Sequence, residues 1–177
     1  ELTGSKYAVA MTNGTAALFC CLKALGIGVG DEVIVPNMTF IASANAVIMT
    51  GATPVLCEVD SENFCIDIQE AEKCITNKTK AIMAVHVLGN ATRIDEIAKI
   101  AKSRNIFLIE DTCESLGAKY KKKHLGTFGD FGTYSFYYSH QITSGEGGMV
   151  VCNSRADYEL IYSMRSHGWA RKLKNNK

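Results

Sequence analysis

The sequence predicts an α/β fold, a mainly parallel sheet with helices on both faces. Three observations carry the prediction. Short apolar runs of strand length alternate along the chain with segments of about ten residues at helical spacing. The run at 80–87 is apolar with little alternation, as a strand covered on both faces has to be. Turn and cap residues fall between the runs, at Asn13-Gly14-Thr15, Pro36 and Gly51 among others.

Each element has its own reason. Residues 7–11 are a short apolar run, Thr12-Asn13-Gly14-Thr15 supplies turn and cap chemistry, and 16–25 is Ala/Leu-rich with helical spacing. Residues 26–31 break that helix, and Glu32-Val33-Ile34-Val35-Pro36 is a strand ended by its proline. A helix is expected over 39–49, with Phe40 at its start and Gly51 stopping it, followed by a strand over 54–60 and a short helix over 68–74. Residues 80–87 form a buried parallel strand, 94–103 a helix on the spacing of Ile94, Ile97, Ala98 and Ala101, and 106–111 a strand ending in two acids. The strand-like run from Gly132 leads into Ser135 and His140. Met149-Val150-Val151-Cys152 reads as the antiparallel strand that mixed sheets often carry, and 158–166 as an amphipathic helix.

At 177 residues, 47% apolar and 21% charged, the chain has the profile of one ordinary soluble domain with a single large core. A formal charge of +1 gives no general pull toward nucleic acid or an acidic membrane, and Lys121-Lys122-Lys123 reads as a solvated turn. No stretch approaches the roughly 18–20 apolar residues of a membrane span, and Glu1-Leu2-Thr3-Gly4 has no basic-then-apolar signal character. The seven cysteines, with no Cys-x-x-Cys pair, suit reduced thiols; a cytoplasmic protein without a metal site in these residues is expected. The chain opens almost on the Gly4 turn and stops in the polar run 171–177, which suggests part of a longer protein.

In parallel α/β sheets ligands bind past the carboxyl ends of the strands. Here those positions are 12–15, 37–40, His86, 111–114 and 135–140. A helix starting after Asn13-Gly14-Thr15 either holds a phosphate on its free amides or is simply capped there. Asp111 either holds a protonated ring nitrogen or caps a helix; Glu110, one residue earlier on an extended strand, faces the other side. Ser135 is a phosphate donor or a structural strand serine. His140 lies in a glycine-bounded loop close to Ser135 and Glu146, and an imidazole, titrating ordinarily near about 6.5, both takes and gives a proton at neutral pH.

These residues match a known pattern. Asn13-Gly14-Thr15-Ala16-Ala17-Leu18, 30–36, Gly51-Ala52-Thr53-Pro54-Val55, Glu110-Asp111, 126–136 and Gly145-Glu146-Gly147-Gly148 together resemble the DegT-type sugar aminotransferases. Those are pyridoxal-phosphate enzymes of the aspartate-aminotransferase fold, fold type I. The resemblance covers essentially the whole chain and implies the large domain of that fold, with a C-terminal small domain absent from residues 1–177. It implies that Gly14, Thr15 and Ser135 bind the cofactor phosphate, that Phe40 stacks on the pyridine ring and that Asp111 pairs with the ring nitrogen. Glu114 stands on the ring's other face, where the family usually has glutamine.

One position departs from the pattern. Family aminotransferases carry a lysine in a Ser-Phe-x-x-x-Lys run, and that lysine joins the cofactor covalently. In Ser135-Phe136-Tyr137-Tyr138-Ser139-His140 the position is His140, and an imidazole cannot form that bond. A branch with the same replacement is the sugar 3-dehydratases that use pyridoxamine phosphate, and 110–117 and Ile142-Thr143 also resemble that branch. The implied activity is removal of the 3-hydroxyl from a nucleotide-linked 4-keto-6-deoxy sugar, with His140 as base and then acid. Some members of the branch bind an iron–sulfur cluster through cysteines further along; others regenerate the cofactor from glutamate without metal. The resemblance further implies a homodimer whose second subunit completes the sugar pocket. The alternatives are a nucleotide-sugar aminotransferase with His140 in the lysine position and a non-catalytic cofactor- or sugar-binding homologue.

Overall fold

A computed structural model describes residues 2–91 and 93–169. The polar run at 171–177 lies outside the described residues. Strands β1 (Tyr7–Met11), β2 (Glu32–Pro36), β3 (Thr53–Cys57), β4 (Thr79–Val85), β5 (Phe107–Asp111), β8 (Phe131–Ser135) and β9 (Gly148–Cys152) form a seven-stranded sheet in the order β1-β9-β8-β5-β4-β2-β3. The pairs β2–β3, β2–β4, β4–β5 and β5–β8 are parallel, whereas β9 runs antiparallel to both β8 and β1. The expected reversed strand is therefore β9.

Side-chain alternation divides the core into two layers. Val33, Val35, Met83, Ile109 and Phe131 point to the face covered by α1 (Gly14–Ala24), α2 (Ala42–Thr50) and α5 (Arg155–Arg165). Ile34, Ile82, Ala84 and Leu108 point to the face covered by α3 (Ile68–Lys73) and α4 (Ile94–Arg104). Both sets are buried, which explains why β2 and β4 carry apolar residues at successive positions.

The boundaries differ from the sequence expectation where a cap or a turn intervenes. Helix α1 starts at Gly14, earlier than expected, because the Asn13 side chain accepts from the Ala16 amide at 2.8 Å. Helix α2 starts later, at Ala42; Gly51, with φ 89°, ends it as expected by donating to Ile48 O. Helix α5 starts at Arg155 because Ser154 caps it through the Asp157 amide. Strand β3 ends at Cys57, beyond which only Val59 makes an isolated bridge, to Ile66. The three lysines fall in the small hairpin of β6 (Lys119–Tyr120) and β7 (Lys123–His124), with Lys121 bound to Asp95 at 2.9 Å. Among the described residues no helix is long and apolar enough to cross a membrane.

Candidate active site

The carboxyl ends of β1, β2, β5 and β8 lie along one edge of the sheet, and a cavity of about 520 Å³ opens there. Gly14, Thr15, Phe40, Glu114, Ser135 and His140, all singled out from the sequence, line it. Asp111 does not line it directly. It is 7% exposed and lies next to the lining residue Cys113, whose amide donates to Asp111 Oδ1 at 3.2 Å.

One side of the cavity is built from the first turn of α1. Asn13 takes the Ala16 amide, which leaves Gly14 and Thr15 as the uncapped donors of that turn, at the positive end of an eleven-residue helix. Capping and anion binding, alternatives in the sequence, are thus compatible here. A Cβ at Gly14 would sit 3.0 Å from both Cys113 Sγ and Ser135 Cβ, so glycine lets the turn close onto the ends of β5 and β8. Ser135 Oγ accepts from the Tyr137 amide at 3.3 Å, and its own hydroxyl proton remains to be donated.

The two acids ending β5 have different surroundings. No helix starts at Asp111; its contact with the Cys113 amide is an Asx turn, not a helix cap. Asp111 Oδ2 accepts from Ser43 Oγ on α2 at 2.9 Å. Burial pushes the Cys113 thiol far above its ordinary range, and the neighbouring Asp111 charge adds to the rise. Glu110, fully buried on the opposite face, accepts from the amides of Gly126, Phe128 and Gly129 and from His86 Nε2 at 3.0 Å. His86, a strand-end residue in the sequence, therefore joins the structural layer and not the cavity.

His140 sits in the loop 136–147 between β8 and β9, held at both ends. The Phe136 amide donates to Gly147 O, the Ser144 amide to Phe136 O, and the His140 amide to Tyr137 O. Gln141 Nε2 reaches Glu114 O at 2.6 Å and ties the loop to the segment after β5, while Glu114 Oε2 accepts from the Leu88 amide. Phe40, 74% exposed, stands at the cavity wall with one face uncovered. Cys113, Tyr137 and Ser139, which fall within the strand-end positions 111–114 and 135–140, also line the cavity, whereas the sequence did not place Ala42 or Glu146 there, nor Ser43 as the partner of Asp111. For Ser43 the signal was its place on the first turn of a helix following Phe40.

Comparisons with known proteins give the family and the fold. The model of the DegT/DnrJ/EryC1/StrS aminotransferase family matches residues 1–177. GDP-perosamine synthase of Escherichia coli O157:H7 is 50% identical over 165 residues, 93% of this chain and 45% of that protein. GDP-4-keto-6-deoxy-D-mannose 3-dehydratase of Escherichia coli O55:H7 is 39% identical over 181 residues, 98% of this chain and 47% of that protein. Among solved structures, an aminotransferase from Psychrobacter cryohalolentis superposes with a TM-score of 0.95 at 40% identity, over 99% of this chain and 45% of its own. A GDP-4-keto-6-deoxymannose-3-dehydratase, solved as a histidine-to-asparagine mutant with bound GDP-perosamine, gives 0.92 at 38% identity, over 97% and 46%. The same comparison includes an E. coli enzyme of that activity with bound hydrated PLP, and another of its structures carries a histidine-to-lysine change beside serine-to-asparagine at the preceding position. The chain spans about half the length of the curated relatives it matches. The fold is that of the fold type I large domain, and a sugar aminotransferase from Streptococcus pneumoniae among the structural neighbours is in its PMP form.

Proposed function

We propose that this chain, which belongs to the DegT/DnrJ/EryC1/StrS aminotransferase family, is the cofactor-binding part of a pyridoxamine-phosphate-dependent dehydratase that removes the 3-hydroxyl of a nucleotide-linked 4-keto-6-deoxy sugar. The observation that supports the reading is His140: it lines one cavity with Gly14, Thr15, Phe40, Glu114 and Ser135, to which the family resemblance gives cofactor contacts, and it stands at the position of that family's lysine. The pair Ser139-His140 also has the composition of the serine–histidine pair altered in the solved dehydratase.

The residues present fit the cofactor. The closure at Gly14, the uncapped amides of Gly14 and Thr15 and the donor proton of Ser135 suit a phosphate, and Phe40 offers a free face to an aromatic ring. Glu114 bounds the same cavity opposite these groups in the reading taken from the family. Asp111 holds the ring nitrogen as a charge-assisted acceptor. When bound, pyridoxamine phosphate supplies an amine to condense with the keto sugar and a ring that takes up electrons as the hydroxyl leaves. His140 would take a proton from the bound cofactor and give one to the departing 3-hydroxyl, which leaves as water. Glutamate would restore the amine form, the nitrogen of each turnover leaving as ammonia, and a small domain beyond residue 177 and a second subunit would complete the sugar pocket.

The test uses the full-length protein with pyridoxamine phosphate, glutamate and GDP-4-keto-6-deoxymannose. A 3-deoxy product with release of 2-oxoglutarate is expected, and an amino sugar overturns the reading. The aminotransferase alternative is favoured by the 50% identity to GDP-perosamine synthase. It requires the amino sugar as the wild-type product.

A further inference from the structure

Ser43 is fully buried, on the first turn of α2 and 68 residues from Asp111 in the chain. A buried hydroxyl without a partner is costly, so where its proton goes is a structural commitment. Ser43 Oγ donates to Asp111 Oδ2 at 2.9 Å. It also lies 2.9 Å from Thr39 Oγ1. Each hydroxyl has one proton. Because that of Ser43 is given to Asp111, the proton between the two hydroxyls belongs to Thr39, and the direction is Thr39 to Ser43 to Asp111. The Cys113 amide engages the other carboxylate oxygen at 3.2 Å. Both oxygens of Asp111 are thus held from the protein side, and the rotation of the carboxylate plane is restricted.

Helix α2 follows Phe40, the residue with an open aromatic face at the cavity. One turn of chain therefore contributes Phe40 to the cavity wall and Thr39 and Ser43 to the acid behind it. We infer that Ser43, polarised by Thr39, is a positioning residue that fixes the Asp111 carboxylate for a protonated heteroaromatic nitrogen, and that it acts on ligand affinity through Asp111 alone. The inference rests on the cofactor-site reading above, and it applies equally to a dehydratase and to an aminotransferase.

The experiment is a double-mutant cycle on the full-length protein, read as the dissociation constant of pyridoxamine phosphate by fluorescence titration. Ser43→Ala is expected to weaken binding about tenfold, the worth of one hydrogen bond to a charged group. In an Asp111→Ala background the same change is expected to move binding less than about twofold. Thr39→Ala, one bond further out, is expected to weaken binding about threefold. The absorbance of the bound cofactor, followed against pH, is expected to shift in Ser43→Ala and to return in Ser43→Thr. An unchanged affinity in Ser43→Ala, or an equal loss with and without Asp111, overturns the inference. A wild type that makes an amino sugar yet shows the coupling overturns only the dehydratase reading. A wild type that does not bind pyridoxamine phosphate overturns both.

Discussion

Glu110 and Asp111 are adjacent, both acidic and both buried, yet their surroundings have little in common. Glu110 meets three backbone amides of the loop 126–129 and a buried imidazole, so each of its oxygens takes two protein donors where each oxygen of Asp111 takes one. Asp111 meets one hydroxyl and one amide and lies beside the cavity. The strand sends successive side chains to opposite faces, and that alternation alone separates a carboxylate held by four protein donors from the one we propose for a ligand. Burial does not distinguish the two acids; the number of protein donors bound to each does.

The comparison breaks if the two acids respond alike to truncation. Glu110→Ala strands three amides and His86 in the interior, and a loss of about 3–5 kcal/mol is expected in urea unfolding. Cofactor affinity should fall only as far as the folded fraction does. Asp111→Ala is expected to weigh on the ligand instead: pyridoxamine phosphate binding, measured by titration, weakens by about a hundredfold, while the unfolding free energy falls by only about 1–2 kcal/mol for the Ser43 hydroxyl left without its acceptor. A large stability loss at Asp111, or none at Glu110, removes the distinction.

A smaller effect sharpens the structural side. Tyr134 OH donates to Leu125 O at 2.8 Å, beside the loop that Glu110 holds, and burial pushes its phenol up to about 12. The unfolded phenol ionises near about 10. The folded pKa is the higher one, so stability is level below about pH 10 and declines as pH rises from there through the folded value. Tyr134→Phe should lose about 1 kcal/mol at neutral pH, for the hydrogen bond, and show a shallower alkaline decline in urea midpoints. An unchanged alkaline slope would mean that this phenol does not report on the loop.

Much of this arrangement was legible in the sequence, because it follows from local chemistry. The alternation of strands and helices, the reversed strand at Met149 and the gathering of Gly14, Phe40, Ser135 and His140 at strand ends all come from spacing and turn residues. Placing Glu110 and Asp111 on opposite faces needed only the extended backbone. What lay beyond reach was partnership across long separations: Ser43 with Asp111, His86 and the loop amides with Glu110, Gln141 with Glu114 O. No local pattern encodes which of two neighbouring faces a returning loop will cover. The early start of α5 was within reach, since Ser154 and Asp157 have capping spacing.

The reversed direction of β9 has a consequence for how such a protein changes over time. Because β9 returns beside β8, the segment bearing His140 begins and ends on the same sheet edge, and the Phe136–Gly147 bond closes it at its base. At its far end Gly148 packs so near Asn13 O that a Cβ would lie 2.4 Å away, which fixes the base against the first turn of α1. Position 140 projects from a closed hairpin loop that no core element crosses. Its side chain is therefore exchangeable at small cost to the sheet, and under the proposed function a lineage would move between reactions by substitution there while inheriting the rest of the scaffold unaltered.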